Sequence, residues 1–94
     1  MMLTVERNPA VLWRRTLSGV LLLPEGDDEM TKLSAPGDIV WQLIDEPRDV
    51  EEVIEDLGII YETSDLDTIR RDTTELLESL ARVDMVRLVG AVRP

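Results

Sequence analysis

With 94 residues the chain makes one domain, near the size at which a single core stabilises itself without a metal or a disulfide. It has no cysteine and no histidine, which removes thiolate chemistry, disulfide stapling and the commonest general base and metal ligand. With 20 acids against 10 bases the formal charge is −10, so its surface repels phosphate backbones and attracts cationic partners.

The opening MMLTVERNPAV lacks the apolar run of a signal peptide, and no segment reaches the roughly 18 apolar residues of a membrane span. A soluble cytoplasmic protein of one domain, residues 1–94, is therefore expected. Residues 1–9 end in Asn8-Pro9 and read as a partly frayed arm. Residues 10–16 alternate as a strand, with Val11, Trp13 and Arg15 on one face and Leu12, Arg14 and Thr16 on the other. Ser18-Gly19 supplies a hairpin turn. Residues 20–23 are wholly apolar, the mark of a central strand. Residues 24–28 are a turn by composition. Residues 29–33 form a third strand, with Thr31 and Leu33 on one face and Met30 and Lys32 on the other. Three antiparallel strands in meander order leave this third one at an edge.

Ser34 is placed to cap the next element, and Pro36 fits its first turn. Residues 38–45 carry Ile39, Val40, Leu43 and Ile44 as an amphipathic helix that Glu46-Pro47 stops. Asp49 and Glu52 have capping-box spacing before a second helix, whose buried stripe is Val50, Val53, Ile54 and Leu57. Gly58 suits its stop, with Ile59, Ile60 and Tyr61 able to extend it.

The third helix, residues 64–84, is the most strongly patterned stretch. Leu66, Ile69, Thr73, Leu76, Leu80 and Val83 recur at steps of three and four, and Ser64 with Asp67 is a second capping-box spacing. Leu77 falls off this stripe, on a flank with Arg70, Arg71 and Thr74. Residues 85–89 are apolar and extended, fit to cover the helices or pair with a strand. The order gives an α+β domain, a small three-stranded antiparallel sheet followed by three helices.

Little catalytic equipment is present, so neither an enzyme nor a cofactor is expected. The acidic run at 25–29 lacks the D-x-D-x-D-G spacing of a calcium loop and reads as a solvated turn. No glycine-rich phosphate loop occurs, and the second helix's Asp49, Glu51, Glu52, Glu55 and Asp56 read as a solvated face. Binding remains. An edge strand either stays hidden or captures an extended peptide, and the helix flank with Leu77 would close a cleft beside it. The competing reading of Leu77 is packing against Val86 or Leu88 of the tail.

The strings Ser18-Gly-Val-Leu-Leu, Lys32-Leu-Ser and Pro36-Gly-Asp-Ile-Val-Trp41-Gln-Leu-Ile-Asp are followed by Pro47-Arg-Asp-Val-Glu-Glu-Val, Tyr61 and Asp72-x3-Leu76-Leu-x2-Leu80. Together they resemble the PqqD-like proteins, the precursor-peptide recognition elements of ribosomally made, modified peptides, over residues 10–88. Two departures are Ser34, where the family commonly has Asn, and Asp84, where it often has Gly after the last helix. The resemblance implies a winged helix-turn-helix-like fold without catalytic activity. It also implies a partner, the leader segment of a precursor peptide, which is handed to a modifying enzyme or leader peptidase; lasso-peptide pathways are one such setting. Met30, Thr31, Lys32 and Leu33 would supply the backbone ladder, and Asp67, Arg70, Arg71, Thr74 and Leu77 the opposite wall. No nucleic acid and no membrane is expected as a partner. Two alternatives use the same elements: a winged-helix transcriptional regulator reading DNA through Arg70, Arg71 and Arg82, and a subunit docking on a basic enzyme through its acidic face.

Overall fold

A computed structural model describes residues 3–24 and 29–90. The elements in chain order are β1 (Leu3–Arg7), β2 (Leu12–Thr16), β3 (Gly19–Leu23), β4 (Thr31–Leu33), α1 (Gly37–Leu43), β5 (Arg48–Asp49), α2 (Val50–Ile60), α3 (Leu66–Arg82) and β6 (Val86–Gly90). They make two antiparallel sheets of three strands, ordered β2-β3-β4 and β5-β1-β6. The meander is the expected one, shorter at its ends: its first strand starts at Leu12, its hairpin turns at Leu17-Ser18, and its third strand keeps only Thr31–Leu33. The acidic turn and its calcium reading fall at 25–28, outside the described residues.

Gly19 fixes the seam between β3 and β4. Its φ is +152°, and a Cβ built there would collide with the backbone carbonyl oxygen of Leu33. Only glycine gives both this backbone conformation and this close approach of strands.

The second sheet replaces the expected frayed arm. Residues 3–7 pair with β6 along their length, Leu3 opposite Gly90 and Arg7 opposite Val86, and Val5 is fully buried. Arg7 then staples this sheet to the first. Its guanidinium lies 4.7 Å from the Trp13 ring centre and 4.9 Å from that of Trp41. It donates through Nε and Nη2 to the Trp41 carbonyl at 3.1 and 2.6 Å. Cation–π contacts of this kind contribute about 0.5–2 kcal/mol, more as the cation is desolvated. Burial holds the Arg7 pKa below its ordinary value, with Asp45 opposing that shift.

In a chain without Phe, the core is Leu, Val and Ile around one large ring. Trp41 is fully buried among Val20, Leu22, Ile44, Val53, Ile54, Leu57 and Leu77, each of these nearly or wholly excluded from solvent.

Asp49 caps α2 as expected, its carboxylate accepting from Glu51 N at 2.8 Å. Two other caps differ from expectation. No side chain caps α1, where Ser34 offers only its backbone carbonyl to Asp38 N. Asp65, not Ser64, caps α3, accepting from both the amide and the hydroxyl of Thr68, and these bonds lower its pKa. One residue further along, the Asp65 carboxylate has the geometry that the Ser64 hydroxyl lacks.

Both long helices end in the same hydrogen-bonded reversal, with a left-handed residue that is not glycine. After α2, Glu62 (φ 52°) donates to Ile59 O and Thr63 to Gly58 O. After α3, Asp84 (φ 63°) donates to Ala81 O and Met85 to Leu80 O. These are Schellman closures, which satisfy the last carbonyls and turn the chain sharply. Asn8 Nδ2 donates to the Asp84 carbonyl at 2.7 Å and holds the second reversal. It sends the tail into β6 beside β1.

Candidate functional site

β4 has one strand neighbour among the described residues, β3, with Val20 opposite Leu33, Leu21 opposite Lys32 and Leu22 opposite Thr31. The Leu33 carbonyl sits on the β3 side, since it is the atom that a Cβ on Gly19 would strike. In an antiparallel pair the backbone groups of successive residues point alternately toward and away from the neighbour. The N–H and C=O of Lys32 are therefore the pair directed outward, at the free edge. An incoming extended segment would meet them first.

α1 and α3 supply what stands beside that edge. Gly37 lies between the two: a Cβ there would be 3.6 Å from Leu33 Cδ2 and 3.7 Å from Leu76 Cδ2. The floor is thus a glycine with a leucine on either side. Beyond β4 the same side of α3 continues into an apolar concavity of about 360 Å³ lined by Ala35, Pro36, Leu57, Tyr61, Ile69, Asp72 and Thr73. Asp72 is its only acid and accepts from Arg71 Nε at 3.3 Å. The arrangement offers an unpaired ladder, an apolar trough and a side-chain-sized hollow. It assembles no acid–base pair, and among the described residues no group of Asp and Glu is placed to hold a metal ion.

The wall expected from the sequence is corrected. The stripe read as core was centred on Thr73, Leu76 and Leu80, but the buried residues of α3 are Thr73, Leu77 and Leu80. The true stripe is turned by roughly 40° about the helix axis. Leu77, expected on the flank, is 1% exposed and belongs to the core. Leu76 takes the place beside the cleft. The same rotation carries Asp67, Arg70 and Thr74 to the opposite flank. There Arg70 donates to both Glu51 carboxylate oxygens at 3.2 and 2.7 Å and to Asp67 at 3.2 Å. These bonds hold the Glu51 carboxyl below its ordinary pKa and Arg70 above its own. Being exposed, they add little stability. Arg71 shares the face of Asp67 and Thr74 and goes with them, touching the cleft lining only as donor to Asp72 at 3.3 Å.

On the strand side Thr31, Lys32 and Leu33 are in place, with Leu33 buried and Lys32 exposed. Met30 lies just before β4, and its side chain lines a shallow concavity of about 250 Å³ on the outer sheet face with Leu12, Leu21 and Leu23. Pro36, Ile69, Asp72 and Leu76, which line this candidate cleft, were not among the expected site residues. Ile69 and Asp72 share the face of Leu76 at helical spacing, so the correct phase of the helix would have found them.

Residues 19–86 match the family described as coenzyme PQQ synthesis protein D (PqqD). No curated protein matches the chain. Two solved structures are similar. One is the solution structure of the PqqD truncation of Methylobacterium extorquens PqqCD, described as a stand-alone recognition element for ribosomally synthesised and post-translationally modified peptides. It is 21% identical at a TM-score of 0.74, over 89% of this chain and 88% of that one. The other is TbiB1 in complex with the TbiA(β) leader peptide, 28% identical at a TM-score of 0.74, over 94% of this chain and 99% of that one.

Proposed function

The chain belongs to the PqqD family, and on that premise we propose that it is a non-catalytic carrier of precursor peptides. It captures the leader segment of a ribosomally made precursor as a strand added to β4 and presents it to a modifying enzyme or leader peptidase. The observation that carries this reading is the outer edge of β4, which no strand covers among the described residues, with Lys32 N–H and C=O outward beside a trough floored by Gly37. TbiB1, similar along nearly its whole length, is seen with a leader peptide, which supports the same role here.

In this reading Thr31, Lys32 and Leu33 form the ladder, extended by the backbone of Met30. Leu76, Ile69 and Asp72 form the wall, and the hollow at Pro36 takes one apolar side chain. A few ladder bonds at about 0.5–1.5 kcal/mol each supply affinity for any extended segment. Sequence preference comes from the hollow, where burying one side chain contributes about 1.5–3 kcal/mol. A DNA-reading α3 keeps only Arg82 of its three arginines, because Arg70 and Arg71 are both engaged by acids of the chain itself.

The test is fluorescence polarisation with labelled leader segments of precursor peptides from the same genome. Saturable binding is expected, and Leu76→Glu should weaken it about tenfold, the loss of about 1.5 kcal/mol of apolar contact. Melting of that variant should change little. Equal binding by parent and Leu76→Glu would remove the α3 wall from the site.

A further inference from the structure

The last turn of α2 carries Ile59, Ile60 and Tyr61 in succession, and they are 74%, 48% and 46% exposed. Consecutive helical residues point about 100° apart, so these three do not make one patch; Ile59, the most exposed and on the side of Glu55, is the one that stands beside a groove. Beside Ile59 a concavity of about 470 Å³ runs to Leu66, with Glu55 and Asp56 on its rim. Glu55, one turn before Ile59, and Glu62, in the closing reversal, have no ion pair or side-chain hydrogen bond among the described residues, whereas Asp56 is taken by Arg48. The last turn of α2 also holds no basic residue, so the negative end of the helix dipole is unopposed there. Apolar contact area thus coincides with negative potential.

We propose that this end of α2 is a docking surface for a second protein that presents a basic amphipathic helix. An apolar side chain of that helix enters the concavity between Ile59 and Leu66, and its Lys or Arg residues face Glu55 and Glu62. Tyr61 lines the separate hollow at Pro36 and takes no part in this concavity. The docking goes beyond peptide capture and does not require the β4 edge.

The probe is a synthetic helix with leucines at i, i+4 and i+7 flanked by lysines, titrated into the 15N-labelled full chain. Amide shifts are expected to cluster at residues 55–66. Ile59→Ser with Ile60→Ser should weaken binding about tenfold, as should Glu55→Lys with Glu62→Lys, while Lys32→Pro leaves it unchanged. The serine pair replaces solvent-facing groups, and a parental melting temperature confirms that it folds. Three outcomes overturn the docking surface: no binding at millimolar probe, equal binding of a probe with the same residues scrambled off one face, or shifts spread over the acidic surface without a cluster at 55–66. Loss of leader binding in Lys32→Pro bears on peptide capture alone, so the two readings fail separately.

Discussion

Lys32→Pro should weaken leader binding by about a hundredfold or more and leave the protein folded. The substitution removes the one N–H of β4 that points to the free edge, so the matching peptide carbonyl is left unpaired at about 1–3 kcal/mol. The proline ring also occupies the place of the donor and pushes the incoming strand away from the neighbouring ladder positions, each worth about 0.5–1.5 kcal/mol. Their sum reaches the roughly 2.7 kcal/mol that a hundredfold loss requires. The β3–β4 seam does not use Lys32 N–H, and proline is tolerated on an edge strand whose amide faces outward. Thr31 before it is already extended, as a residue preceding proline prefers. Unfolding free energy should therefore move by about 1 kcal/mol or less, measured by denaturant titration beside the binding curve. A variant that unfolds would show instead that the seam depends on Lys32.

Leu77→Ala should lower stability by about 2–5 kcal/mol, the cost of emptying a fully buried leucine site. Its neighbour Leu76, half-buried beside Gly37, should show the reverse balance: a small stability change and a clear loss of affinity. The two leucines are adjacent in sequence yet divide core from cleft. Urea unfolding of both variants, with leader affinity measured on each, checks the division. If Leu77→Ala melts like the parent while Leu76→Ala collapses, the helix is turned the other way.

That division also marks how far the sequence could be read. Periodicity placed the meander and the three helices, because runs such as the Val-Leu-Leu-Leu of β3 and the stripe of α3 are local signals. The edge position of β4 followed from the same order. Of the β5-β1-β6 sheet only a strand-pairing tail was among the expectations; its partner was not, because Leu3 to Arg7, read as a frayed arm ending in Asn8-Pro9, pair with residues some 80 positions away. The phase of α3 failed for a different reason. Val83, counted in the stripe, is exposed, and including it pulled the centre toward Leu76. Leu76 and Leu77 both fit an amphipathic helix, and only packing against α2 and β6 selects Leu77 for the core. The family resemblance pointed to the strand and helix of the candidate site, but which side chains of the helix face it depends on a rotation that spacing alone did not fix.

Amide hydrogen exchange at Lys32, followed by NMR with and without saturating leader peptide, reaches the central claim most directly. In the free protein Lys32 N–H should exchange far faster than the amides of Thr31 and Leu33, which face β3. Added leader should slow Lys32 strongly while those two change little. If the leader saturates the protein and Lys32 still exchanges as fast as before, the peptide is not held as a strand on β4.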